Sequence, residues 1–229
     1  MADRLRAAGP PLAGVLLTLA ASLWMFGLIA AAVVADDDGP DQRLADWLHA
    51  RATDPLTEFF EGVTFLGNFV TLLAVTLVAA IFLWRRKERI DAAFVLLAFA
   101  GAQLLSNGLK LVFQRERPFF PDPLATATTY SFPSGHALVS LAVYSAIALV
   151  VARRLSSAGR RALLFGGVAV LVIAIGFSRL YLGVHFLSDV LAGYAVGIAW
   201  LSLLYAAVLF HDARAGRQYE RWPRTKSEH

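Results

Sequence analysis

The chain has no cysteine in 229 residues. Disulfide frameworks and thiolate chemistry are excluded, and the redox compartment leaves no mark on the sequence. Charge is also scarce: Asp, Glu, Lys and Arg make up 17% of the residues, where a soluble domain carries about a quarter. There is no HExxH motif, and no cluster of several carboxylates stands beside the polar motifs described below, so the sequence offers no ready ligand set for Zn²⁺ or Mg²⁺. Internal repeats and a second soluble domain are absent.

What fills the chain instead is apolar. Hydrophobic residues make up 58% and the mean hydropathy is +0.59. They fall into six runs, roughly 12–35, 62–84, 92–113, 135–152, 162–178 and 190–210. Each is near the ~20 residues that cross a bilayer as a helix. The expectation is an all-α, integral membrane six-helix bundle forming one domain over 1–229. Arg4 and Arg6 precede the first run, as in a signal peptide. That run is long for a signal sequence and no small-residue cleavage site precedes Asp36-Asp37-Asp38, so it reads as a retained span. Between the first two spans, Asp36 to Pro40 reads as a turn, and Leu44, Trp47 and Leu48 recur at the spacing of a short interfacial helix. The tail 212–229 is basic and reads as a cytoplasmic extension.

The net charge of +4 does not point to nucleic acid, because the cations sit in short loops between apolar runs. The N-terminus, 85–91, 153–161 and the tail hold fifteen of the 21 Lys and Arg. By the positive-inside rule these lie in the cytoplasm, with both termini. Three polar clusters then emerge together on the outer face: Lys110 to Arg117-Pro118, Pro133-Ser134-Gly135-His136, and Ser178-Arg179 to His185 and Asp189. Ionisable groups near a bilayer are costly and mark function.

Each cluster alone has a plainer reading. Lys110 and Arg117, seven residues apart, share a helical face with Gln114 between them, and Pro118 ends that helix; they would serve equally as snorkelling cations. Arg115 and Glu116 fall elsewhere on the helix and read as a solvated pair. Ser134 is a good N-cap, and Gly135 lets backbone amides approach an anion at a helix start; an ordinary capped helix looks the same. His136 in that first turn faces the positive end of the dipole, which suits an anion-bound site. His185 and Asp189, at i and i+4, share a face if the sixth span begins near Val184. The carboxylate would then fix the imidazole tautomer and free the other nitrogen to attack; an inert interfacial pair has the same spacing. Arg179 carries a planar fork suited to phosphate. Tyr181 reads as an interfacial aromatic, with packing beside the site as the other reading. Glu58 and Glu61 read as a solvated pair, and the loop 119–132 as a rim over the site.

Taken in order, K-x6-RP, PSGH and SR-x5-H-x3-D resemble the signature of the type 2 phosphatidic acid phosphatase family in its compact six-span bacterial form. The resemblance implies a metal-independent membrane lipid phosphatase with no cofactor, acting on a lipid phosphate such as undecaprenyl diphosphate, phosphatidylglycerol phosphate or phosphatidic acid. By the same resemblance, His185 forms a phosphohistidine, Asp189 orients it, and His136 protonates the leaving oxygen and then activates water. Lys110, Arg117, Ser134, Gly135 and Arg179 would bind the phosphoryl group. Transfer to another lipid instead of water, or lipid A as substrate, fits the same residues. A six-span transporter or scaffold is the reading from another class, and charges at one face rather than the midplane count against it. Oligomeric state is left open.

Overall fold

The computed structural model describes residues 2–35 and 38–214, with side chains from 12 to 213. The side chains of Arg4 and Arg6, the Asp36-Asp37 part of the expected turn, and the tail beyond 214 lie outside the described residues. All regular structure among the described residues is helical: α1 (Ala2–Val34), α2 (Gly39–His49), α3 (Asp54–Phe65), α4 (Phe69–Arg85), α5 (Arg89–Phe113), α6 (Gly135–Ala152), α7 (Ala158–Tyr181) and α8 (Leu187–Arg214).

Local chemistry sets the boundaries. Proline occupies the first turn of α2 and of α3, where its missing N–H costs nothing. Asn68 caps α4, its Oδ1 accepting from the Thr71 N–H at 2.7 Å, and Ser157 caps α7 through the Arg160 N–H at 3.4 Å. Among the described residues, five helices are long and apolar enough to cross a membrane, and α3 with α4, bent by 40° at their junction, make a sixth candidate span. The expected unbroken span 62–84 is therefore divided. Gly67 lies so close to α7 that a Cβ there would stand 2.5 Å from Ile175, and Asn68 restarts the helix with its own cap. With α3 counted in the second span, α2 is the one short helix between the first two spans. The interfacial pattern belongs to α2, which buries Leu48 and exposes Trp47.

α6 is the centre of the bundle, packed by α5, α7 and α8 and buried along most of its length. It approaches α8 closely because α8 offers glycine there. A Cβ at Gly193 would stand 2.7 Å from the Ser134 carbonyl oxygen, and one at Gly197 3.0 Å from that of Leu138. This G-x3-G spacing lets two membrane helices meet backbone to backbone. α1 lies along α8. Its Phe26 stacks on Phe132 at 5.9 Å and meets Phe113 edge-on at 6.1 Å, clamping the chain just before the Pro133–His136 segment. Leu17, Trp24, Val78, Leu104, Leu163 and Val170 face outward, an apolar exterior that suits lipid rather than water. The protein is a multi-pass membrane protein. At one end Arg153 pairs with Asp91 and Arg154 with Glu88; the three polar clusters gather at the other.

Candidate active site

Four helix ends and two loops build the site. Lys110 stands in the last turn of α5 and Arg179 in that of α7. Ser134 and Gly135 begin α6, with His136 in its first turn, and Asp189 lies in the first turn of α8.

The expected helical face joining Lys110 to Arg117 does not exist. α5 stops at Phe113, where Gln114 turns left-handed at φ 47° and its N–H closes on the Lys110 carbonyl at 3.0 Å. Arg117 reaches the site from the loop. The two cations still converge, because both donate to the Tyr130 carbonyl; Lys110 adds that of Ser131 at 3.2 Å. Arg117 also donates from Nε to the Thr129 carbonyl at 2.6 Å and from Nη1 to the Val184 carbonyl. The loop 119–132 thus supplies all but one of the carbonyls that hold these two cations, the exception being that of Val184. Phe120 of the same loop stacks on His49 at 4.0 Å.

His185 is buried at 3% exposure and precedes α8 rather than lying on it. Its pairing with Asp189 nevertheless holds: Nδ1 stands 3.3 Å from Asp189 Oδ2, which also accepts the Phe186 N–H at 2.9 Å. The carboxylate reaches back over the start of the helix, so helical-face geometry is not needed. On the other side of the ring, Nε2 lies 3.3 Å from Arg117 Nη1. A guanidinium can only donate, so this contact suits the tautomer that carries its proton on Nδ1, facing Asp189. Burial first, then the nearby cations Arg117, Lys110 and Arg179, hold the His185 pKa well below its ordinary range. That environment favours the neutral imidazole, and its Nε2 faces the Arg117 guanidinium.

Arg179, 8% exposed, donates from Nη1 to Thr64 Oγ1 at 2.6 Å, and its Nε has no partner. Among the described residues, none of Lys110, Arg117 and Arg179 forms an ion pair. Ser134 occupies the N-cap position of α6 but does not cap it; its hydroxyl is buried with no hydrogen-bond partner among the described residues. Its N–H is used, donating to the Asp189 carbonyl at 2.9 Å. Gly135 is required for packing, since a Cβ there would stand 2.9 Å from Ser106 Oγ of α5. His136 is partly buried within electrostatic range of Arg179, His185, Arg117 and Lys110. Two buried cations and the half-buried Arg117, none paired with a carboxylate among the described residues, together with an unpartnered hydroxyl and a helix N-terminus, match the charge and acceptor oxygens of a phosphoryl group.

The residues matched by the PAP2 superfamily model, 91–212, contain every one of these groups. The chain belongs to the PAP2 superfamily. Its relatives in this superfamily include phosphatidylglycerophosphatase B of Bacillus subtilis, 33% identical over 86% of this chain and 96% of that protein. A lipid A 1-phosphatase of Rhizobium johnstonii is 36% identical over 58% of this chain and 53% of that one. The fold matches the crystal structure of a transmembrane PAP2-type phosphatidylglycerolphosphate phosphatase from Bacillus subtilis. That match has a TM-score of 0.78 and 29% identity, and covers 83% of this chain and 96% of that one.

Arg115 overturns its sequence reading. It is not a solvated partner of Glu116 but is 8% exposed, lying over the Phe186 ring at 4.3 Å. It donates to Asp189 Oδ1 at 2.7 Å, Asp41 Oδ2 at 2.9 Å, Ser188 Oγ at 2.6 Å and Asp38. Burial works against its charge, but Asp189, Asp41 and Asp38 outweigh that and raise its pKa. Sequence separation concealed these partners; the acid-rich stretch Asp36 to Asp41 was the only signal. Tyr181 is buried, accepting the Thr53 N–H at 3.0 Å, and so packs inside the protein rather than at the interface. Glu58 and Glu61 are exposed.

Proposed function

We propose that the protein is an integral membrane lipid phosphatase, one transmembrane domain over 1–229, that works through a phosphohistidine on His185. The observation that carries this reading is a His185 oriented by Asp189, with its Nε2 facing the half-buried Arg117 in a group of cations that lack carboxylate partners among the described residues. Such an array attracts a phosphoryl group and leaves the nucleophile unprotonated.

Lys110, Arg117 and Arg179, with the Ser134 hydroxyl and the Gly135 amide, bind the phosphoryl oxygens. Nε2 of His185 attacks phosphorus as the bond to the lipid oxygen breaks, and His136 protonates that oxygen. The Nδ1 proton stays toward Asp189, which stabilises the ring as it becomes cationic. Water, deprotonated by His136, then attacks phosphorus, the P–N bond breaks, and phosphate leaves. No step calls for a metal or cofactor. Removing one of the phosphoryl donors should cost ~10²–10³ in rate.

The basic 85–91 and 153–161 loops place the opposite end of the bundle in the cytoplasm by the positive-inside rule. The site then opens at the outer leaflet of the cell membrane. Phosphatidylglycerol phosphate is the first substrate to test, since the Bacillus subtilis relative named for it aligns along nearly its whole length. Purified protein should release phosphate from it in EDTA, in a panel with phosphatidic acid and undecaprenyl diphosphate. Full turnover by His185→Ala would rule out the mechanism. Chasing ³²P-labelled enzyme with water and with lipid acceptors separates hydrolysis from transfer.

A further inference from the structure

Arg115 lies outside the group proposed to bind phosphate and, unlike the cations of that group, is held by carboxylates. Its two terminal nitrogens are divided between separate parts of the chain. Nη1 takes Asp189 Oδ1 and Ser188 Oγ at the start of α8. Nη2 takes Asp41 and Asp38 at the start of α2. Asp41 completes the tie by accepting the Ser188 N–H at 3.1 Å and the Ser188 hydroxyl. Asp189 is fully buried, and with Arg115 on Oδ1 its other oxygen is left to the His185 Nδ1–H and the Phe186 N–H.

We infer that Arg115 is a positioning residue that fixes the Asp189 carboxylate, and through it the tautomer and aim of His185, from a mount provided by α2. The Phe186 N–H holds only Oδ2 of this buried carboxylate, so Oδ1 still needs a fixed partner. A bidentate-capable guanidinium in a permanently charged state supplies one. The arrangement parallels metal sites in which a partner behind a histidine sets its tautomer. It also gives α2 a purpose that burial does not, because that helix carries the two carboxylates that hold Arg115 in place. The interaction deepens the phosphatase reading and rests on it for its kinetic consequence, but its structural content stands apart from turnover.

Two measurements on the full-length protein in detergent test it. In ¹⁵N-histidine NMR, wild type and Arg115→Lys should show His185 as the Nδ1–H tautomer, and Arg115→Ala a mixture. An unchanged tautomer in a folded Arg115→Ala protein overturns the inference, whether or not any lipid is hydrolysed. In phosphatidic acid hydrolysis, Arg115→Ala should lower kcat by about 10–100-fold, with partial rescue by Arg115→Lys. The inhibition constant of inorganic phosphate should stay within about twofold, since its cations are untouched. In an Asp189→Asn background, Arg115→Ala should cost nothing further. Additive losses, or a parallel rise in the phosphate inhibition constant, would mean that Arg115 merely supports the fold. If Arg115→Ala does not fold, Arg115→Gln and Asp41→Asn give the same two readouts, and a wild-type tautomer with wild-type kinetics from both would equally overturn the idea. A wild-type enzyme that hydrolyses no lipid phosphate sinks the functional proposal alone, leaving the tautomer test to decide this one.

Discussion

Arg179 Nη1 donates to Thr64 Oγ1 at 2.6 Å, joining the end of α7 to the last turn of α3. This bond aims a buried guanidinium that has no carboxylate to aim it. Thr64→Val keeps the shape and removes the acceptor. A lost hydrogen bond to a charged group is worth about 1.5–3 kcal/mol. The expected result is a drop of roughly tenfold or more in kcat/KM, chiefly through KM, measured on phosphatidic acid. Unaltered kinetics would show that Thr64 plays no part in aiming Arg179.

Ser134 gives the opposite pairing of effects. Its hydroxyl has no partner among the described residues, so Ser134→Ala breaks no hydrogen bond described in the fold. Thermal unfolding in detergent should change little, while phosphoryl binding loses a donor and kcat/KM falls by about 10²-fold. A large loss of stability with intact activity would show the hydroxyl to be structural.

The His185 pKa is held below the ordinary 6.5 by burial and by Arg117, Lys110 and Arg179. The sign follows directly: the folded form binds its proton only at more acid pH than the unfolded form. Its ¹⁵N shifts should remain those of neutral imidazole as pH falls through 6.5. Over the same range the unfolded chain takes up a proton that the folded one refuses, so His185 makes stability decline with acidification until its own folded pKa is reached. A titration midpoint at or above 6.5 contradicts the charge environment described here.

Gly193 sets the distance between α6 and α8. Its absent Cβ would stand 2.7 Å from the Ser134 carbonyl, which is backbone and cannot swing aside. Gly193→Ala should cost about 1–3 kcal/mol and displace Asp189 relative to Ser134, lowering both melting temperature and kcat. Wild-type values for both would mean that the two helices are not in the contact described.

The absence of cysteine makes topology directly measurable. Phe119, 83% exposed, lies at the site end, and Arg86 at the other. In intact cells a membrane-impermeant maleimide should label Phe119→Cys and leave Arg86→Cys unlabelled until the membrane is opened. The reverse pattern would place the site in the cytoplasm.

Much of the fold was readable from hydropathy, because a bilayer forces each span to satisfy its own backbone within about 20 apolar residues. The second span was misread as unbroken because the tight approach of Gly67 to Ile175 on α7 has no local signature. In the site, the residue types and their order pointed to a phosphoryl chemistry, while the geometry assumed for them failed twice. Arg117 is not on α5, and His185 is not on α8; loop carbonyls and a reaching carboxylate do what a shared helical face was expected to do.

The sequence by itself determined a membrane-embedded helical chain with its cations sorted to one end and three polar clusters at the other, because those properties depend only on local composition and length. Only the tertiary structure decided which polar groups are paired. Lys110, Arg117 and Arg179 keep carbonyl and hydroxyl partners, whereas Arg115, two residues from Arg117, collects Asp38, Asp41 and Asp189. Pairing in a buried site depends on distances of a few ångströms between residues more than seventy positions apart, and no local pattern encodes them.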